Sequence, residues 1–260
     1  MAERSADVTR PGIRPSGQRS SAPGPREREQ AAAELGPHVL LAIDTAIGTG
    51  AALGAGGRIF EAWSDDPRGH AEAIGGLVAR VFALAAASGI AECAAGPAEV
   101  TGVVVGIGPG PFTGLRVGVA AAQAFALARR ASLLPLHGHE AVALEAWEGT
   151  ADAGGSVLSE GPEDRLRVIQ DARRRELFVT EYARPDAAGI PVRRDGPLLV
   201  PRAEHVPSSR EVWPERIPAS GLVRLAARRL AANRGFEPDR AVYLRPPDAA
   251  APGRPKRATP

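Results

Sequence analysis

Lysine is almost missing from these 260 residues: Lys256 is the only one, and arginine takes its place everywhere else. A Walker-A phosphate loop needs a lysine after its last glycine, so that loop is excluded. Schiff-base chemistry is confined to the extreme C-terminus. Cysteine is equally scarce. Cys93 stands alone, which excludes an intramolecular disulfide and a cysteine zinc cluster. Its neighbour is Glu92 and no base is near in sequence, so it lacks the setting of an activated thiolate. Aromatic residues make up 4 % of the chain, so the core must be built from Ala, Val, Leu and Ile. No apolar run reaches the ~18 residues of a spanning helix. No signal-peptide stretch opens the chain, and the expected location is the cytoplasm, with no membrane partner. No Gly-x-Ser-x-Gly elbow is present. A net charge of +2 argues against a strong overall field for nucleic acid or membrane.

What is present is an alternation of buried strands and small-residue helices. Residues 1–36 are rich in Pro, Ser, Gly, Arg and Glu, and are expected to form a disordered arm. His38 to Asp44 is an apolar run ending in an acid, the pattern of a buried strand. Gly50 to Gly56 and Arg58 to Trp63 read as two strands joined by Gly56-Gly57. From His70 to Ser88, Ile74, Leu77, Val78, Val81 and Leu84 recur at helical spacing, with Gly89 as a C-terminal stop. Thr101 to Ile107 is a valine-rich strand, and Leu115 to Arg130 a helix with Thr113 placed as its N-cap. A strand over Ser132 to Leu136 and a short helix over Glu140 to Trp147 follow. The first domain is thus expected over 37–148, a linker over 149–164, a reduced second domain over 165–244 and a basic proline-rich tail over 245–260. In the second domain Arg165 to Gln170, Asp171 and Leu177 to Tyr182 repeat the strand–Asp–turn–strand pattern of the first, a weak internal duplication. Residues 184–217 show little periodicity, and Leu222 to Ala232 reads as a helix. The fold class is α/β with a mixed sheet.

Three constellations bear on chemistry. Gly106 to Gly118 is a glycine-rich strand-to-helix connection of the kind that binds anions at a helix N-terminus. Pro109 and Pro111 delete two of the backbone N–H groups such a cradle uses, and the spacing fails the dinucleotide fingerprint. Asp44 and Asp171, each at a strand end, could hold a metal-bound phosphate or be turn-forming remnants of ancestry. His137 and His139, beside Glu140, could chelate a metal but lack a third ligand at familiar spacing; they are expected at the surface or in a loop. No catalytic, cofactor or metal residue is assigned. The two long helices carry Ala and Gly on more than one face, which suits close helix packing within the chain or across an interface.

Leu41 to Thr45, the helix opening at His70, and Gly108-Pro109-Gly110-Pro111-Phe112-Thr113-Gly114-Leu115-Arg116 together resemble the TsaB family. So do Asp171 to Phe178 and Val242 to Arg245, and the Arg- and Pro-rich ending looks actinobacterial. The resemblance implies an actin/hexokinase-like fold of two ribonuclease-H-like halves, the second reduced. It implies a non-catalytic scaffold, without cofactor, that activates a TsaD-type threonylcarbamoyltransferase acting on tRNA. A TsaE-type ATPase would dock on the pair, tRNA would be met through the complex, and a homodimer is the competing assembly. It implies a partner interface drawn from His70, Ile74, Leu77, Val78, Val81, Val117, Ala121, Ala124 and Phe125. Asp44 and Asp171 become vestigial acids, and Gly138 and Val142 stand where the sister family has metal-binding histidines. Pro111 departs from the family's serine, and the region 200–222 is short where the family has a further strand and turn. The rival reading is a small-molecule kinase or ATPase of the same fold.

Overall fold

The computed structural model describes residues 25–66, 69–94, 96–149, 165–208 and 210–245. The expected linker beyond Gly149, the tail beyond Arg245 and the first 24 residues of the expected arm lie outside them.

Two sheets form. The first has six strands: β1 (Arg26–Ala31), β2 (Leu40–Asp44), β3 (Thr49–Ala55), β4 (Arg58–Ser64), β5 (Gly102–Gly106) and β6 (Ser132–Leu136). Their order is β1-β4-β3-β2-β5-β6. The hairpins pair antiparallel, and β5 and β6 add in parallel beside β2 through helical crossovers. The second sheet, ordered β10-β7-β8-β9, contains β7 (Arg165–Asp171), β8 (Glu176–Pro185), β9 (Pro191–Pro201) and β10 (Glu211–Val212).

Period-two alternation divides the buried strand β2 between two cores. Leu41 and Ile43 point to one face, where α1 (His70–Ala87) and α2 (Phe112–Arg129) pack. Leu40 and Ala42 point to the other, beneath α3 (Gly138–Glu148) and α4 (Ala219–Ala231). That second core continues through Leu222, Val223 and Leu225 of α4 to Leu166, Val168 and Tyr182 of the second sheet. The two halves therefore share one apolar interior. Cys93 is fully buried under the β3–β4 hairpin, with its thiol 3.3 Å from the Ala55 carbonyl oxygen.

The disordered-arm expectation is corrected from Arg26 onward. Residues Arg26–Ala31 form β1, antiparallel to β4, and Ala33–Leu35 make a turn of 3₁₀-helix with Leu35 fully buried. The segment carries no apolar alternation because its anchoring is ionic. The Arg28 guanidinium lies 2.9 Å from both Glu61 and Glu145 and 2.7 Å from the Ser220 hydroxyl. Glu61 is 1 % exposed and also accepts from Arg216 at 3.2 Å. Within 184–217, where the sequence shows little periodicity, lies the 11-residue strand β9, an edge strand whose prolines and Gly196 mask its pattern.

Candidate functional site

The site is the cleft where the glycine-rich loop after β5, the turn after β2 and the turn after β7 meet. Residue chemistry shapes its floor. Asp44 ends β2 and is 2 % exposed. Its Oδ1 accepts the Ala46 N–H at 2.7 Å, and its Oδ2 has no partner among the described residues. A Cβ on Gly106 would come within 1.7 Å of that oxygen, so glycine there makes room for the acid. Burial pushes the Asp44 carboxyl up to about 7. Thr45, next in sequence, donates to the Gly114 carbonyl at 2.7 Å. A Cβ on Gly118 would lie 2.2 Å from the Thr45 hydroxyl, so the motif glycines let α2 ride directly over the β2 turn. The N-cap expectation for Thr113 is corrected: α2 begins at Phe112 behind Pro111, and no side chain caps it.

His70 opens α1 inside this wall, its Nδ1 2.8 Å from the Thr49 hydroxyl. It is half-buried there and lines the cleft. Asp171 does not join Asp44. It is 54 % exposed at the cleft rim, bridged to Arg202 at 3.3 Å, while Asp44 is sealed below. The two acids that the sequence pairs by pattern thus occupy different environments. The widest part of the cleft, about 870 Å³, is lined by His70, Thr113, Gly114, Gln170, Asp171 and Arg173 among others.

His137 and His139 are buried, which corrects the surface expectation. The Gln170 amide donates to the Ala46 carbonyl at 3.3 Å, which points its oxygen to His139 Nε2 at 2.9 Å. That nitrogen is therefore the donor, and Nδ1 accepts from the Thr180 hydroxyl at 2.8 Å. Burial holds His139 down at about 4, and burial with Arg193 and Arg229 nearby holds His137 down at about 3. His139 is a neutral tie between α3 and the second sheet. Glu140 is occupied by two hydrogen bonds from Arg229 at 2.7 and 2.9 Å. Among the described residues, no group of three His, Cys, Asp or Glu side chains is placed to hold a metal ion.

The expected interface stripe separates into two sets. Ile74, Leu77 and Val81 are buried in the chain's own core against the sheet, a correction imposed by their single helical face. Val78, Val117, Ala121 and Phe125 are half-buried, and Ala124 is exposed. Beside them Gly75, Gly76, Ala79 and Ala83 lie exposed, and Leu127 is 82 % exposed. α1 is long and apolar enough to cross a membrane by length and composition, yet it packs on β3 and β4. The outer surface of the α1–α2 layer is hence small-residue and apolar, a feature that the stripe analysis of α1 misses because it follows the wrong face.

Residues 67–187 match the family model of TsaD, tRNA N6-adenosine threonylcarbamoyltransferase. YeaZ from Pseudomonas aeruginosa superposes with a TM-score of 0.64 at 22 % identity, over 80 % of this chain and 100 % of that one. A second solved structure, described as an uncharacterized protein with similarity to peptidase YEAZ from Pseudomonas aeruginosa, gives 0.62 at 24 % identity over the same shares. The family match covers just under half of the chain, and the likeness to the two solved structures is one of fold. The fold is the actin/hexokinase-like one. An uncharacterized protein of Mycobacterium tuberculosis is 38 % identical over 117 residues, 45 % of this chain and 44 % of that protein. One of Mycobacterium leprae is 35 % identical over 153 residues, 55 % of this chain and 35 % of that protein. The chain spans less than half the length of these curated relatives, and their mycobacterial source fits the actinobacterial look of its ending.

Proposed function

We propose that this chain is the non-catalytic scaffold subunit of a cytoplasmic tRNA adenosine threonylcarbamoyltransferase, pairing with a TsaD-type subunit through the outer face of α1 and α2. The observation that carries the reading is that face: an apolar helix layer with Gly75, Gly76 and Ala79 exposed and Leu127 82 % exposed. Exposed apolar residues gathered on one helix layer support an interaction site there, and small residues let a partner's helices approach closely. A TsaE-type ATPase then docks on the pair, and a homodimer uses the same face when the transferase is absent. Burial of titratable groups around the cleft supports the non-catalytic part of this reading. Asp44 is sealed, and both histidines of the His137–His139 pair are buried.

The test places a charge at the centre of the face, on residues that do not serve this chain's own core. Ala79→Arg and Ala124→Arg should melt like the parent, because both positions are exposed. Each should lose co-purification with a tagged TsaD-type subunit, since an unpaired charge buried in an interface costs several kcal/mol. Folded variants that still capture the transferase would sink the proposal. The cleft of about 870 Å³ favours a second reading, a small-molecule kinase or ATPase. Titration calorimetry with Mg-ATP separates the two, because an independent kinase binds its nucleotide unaided.

A further inference from the structure

The β7–β8 turn carries three successive arginines, Arg173, Arg174 and Arg175, all in the left-handed region with φ of 62°, 52° and 63°. Non-glycine residues adopt this conformation at a cost, and a run of three is retained only where the surroundings hold it. The Glu176 N–H donates to the Arg173 carbonyl at 3.0 Å, and the Arg202 N–H to the Arg175 carbonyl at 2.7 Å. All three side chains are exposed. Arg173 and Arg175 pair with no carboxylate among the described residues. Across a cleft of about 340 Å³ from this turn stand Phe112 and Tyr243, ring centroids 4.7 Å apart. The Arg116 guanidinium lies 3.8 Å over the Phe112 ring and donates to the Tyr243 hydroxyl at 3.3 Å. The nearby carboxylates are already engaged, Asp171 by Arg202 and Glu176 by Arg245. Locally the charge is strongly positive although the whole chain carries only +2.

We propose that this cleft binds an unpaired stretch of RNA, with a base against Phe112 and Tyr243 and the phosphates on the arginines of the β7–β8 turn. Aromatic platforms beside arginines are the chemistry by which single strands are held. A free nucleotide fits less well. Pro109 and Pro111 withhold backbone N–H groups from a phosphate cradle, and Arg175 extends the charge beyond the cavity wall. The proposal deepens the function proposed above: it rests on that reading for which RNA is met, and makes the contact direct.

The experiment is fluorescence anisotropy of the full chain with a labelled single-stranded RNA dodecamer, its duplex, and Mg-ATP as competitor. Binding should favour the single strand and should weaken with salt. Arg173→Gly with Arg175→Gly keeps the turn, since glycine suits these φ values, and circular dichroism verifies the fold. That pair should flatten the slope of log affinity against log salt by about 1.4, two phosphates' worth for a single strand. Tyr243→Ala should weaken binding about tenfold by loss of stacking. No binding at low salt, equal affinity of the glycine variant, preference for the duplex, or full competition by Mg-ATP would each overturn the proposal. Failure here leaves capture of the transferase unaffected, and failure of that capture leaves RNA binding by the isolated chain unaffected, so the two readings fall separately.

Discussion

Asp44 shows what a single buried acid does in this molecule. Its carboxyl titrates at about 7 because burial disfavours the charge and only one hydrogen bond offsets it. In the unfolded chain an aspartate titrates at about 3.9. A folded pKa above the unfolded one means that the folded state binds the proton more tightly. The group's contribution is therefore full below about pH 4 and is lost as pH rises through about 7. His137 and His139 act in the opposite sense: their folded values of about 3 and about 4 lie below the ordinary one, so stability is lost as pH falls below about 6.5. Asp44→Asn should remove one side of this opposition. Urea unfolding near pH 5 should then take up about one proton more than in the parent. The variant should keep tRNA modification in the reconstituted complex, in keeping with a scaffold. An unchanged pH slope would mean that Asp44 is already charged in the folded state.

Among elements, β1 carries the most weight for the least visible pattern. Glu61 and Glu145 are both buried, and Arg28 reaches them from the edge strand at 18 % exposure. Removing one member of such a cluster leaves uncompensated charge, typically at about 3–5 kcal/mol. Arg28→Met should destabilise by that order in chemical denaturation, and adding Glu145→Gln should return part of it. A truncation through Ala31 should behave like Arg28→Met or worse, whereas a dispensable arm would leave the denaturation curve unmoved. The central strands and helices were legible in the sequence because apolar periodicity reports burial: the β2–β4 meander, α1, α2 and β6 differ by a few residues at most. β1 was not legible because Arg-Glu-Arg-Glu alternation reads as solvated charge until the buried carboxylates that it serves are known. α4 was found late by three residues, at Leu222 rather than Ala219, since Ser220 and Gly221 look like a turn. The glycine motif pointed to the right loop, but which acid is sealed and which is exposed depends on Gly106 and on the neighbouring layers.

At the scale of the whole molecule, the two sheets share one apolar core. α4 belongs by sequence to the second half, yet it packs on β2 and β3 of the first. Arg224 and Arg228 clamp Glu34 and Glu148 across the same junction. On the face away from α1 and α2, the first sheet is covered by α4, and the second sheet packs against α3 of the first half. Residues 25–149 and 165–245, expressed separately, should each lack dispersed amide spectra, and mixing them should restore part of the dispersion. A folded C-terminal fragment on its own would show that the shared interior contributes little. The proposed docking face on α1 and α2 would thus be backed by a core that spans the chain.

Cys93 gives that unity a readout. As the chain's single thiol, sealed under the β3–β4 hairpin, it reacts with an alkylating reagent only when the surrounding layer opens. The labelling rate of the untouched protein is thus a stopwatch on native-state opening. Read with and without the transferase subunit, it measures how far docking on the α1–α2 layer slows the breathing of the β3–β4 hairpin.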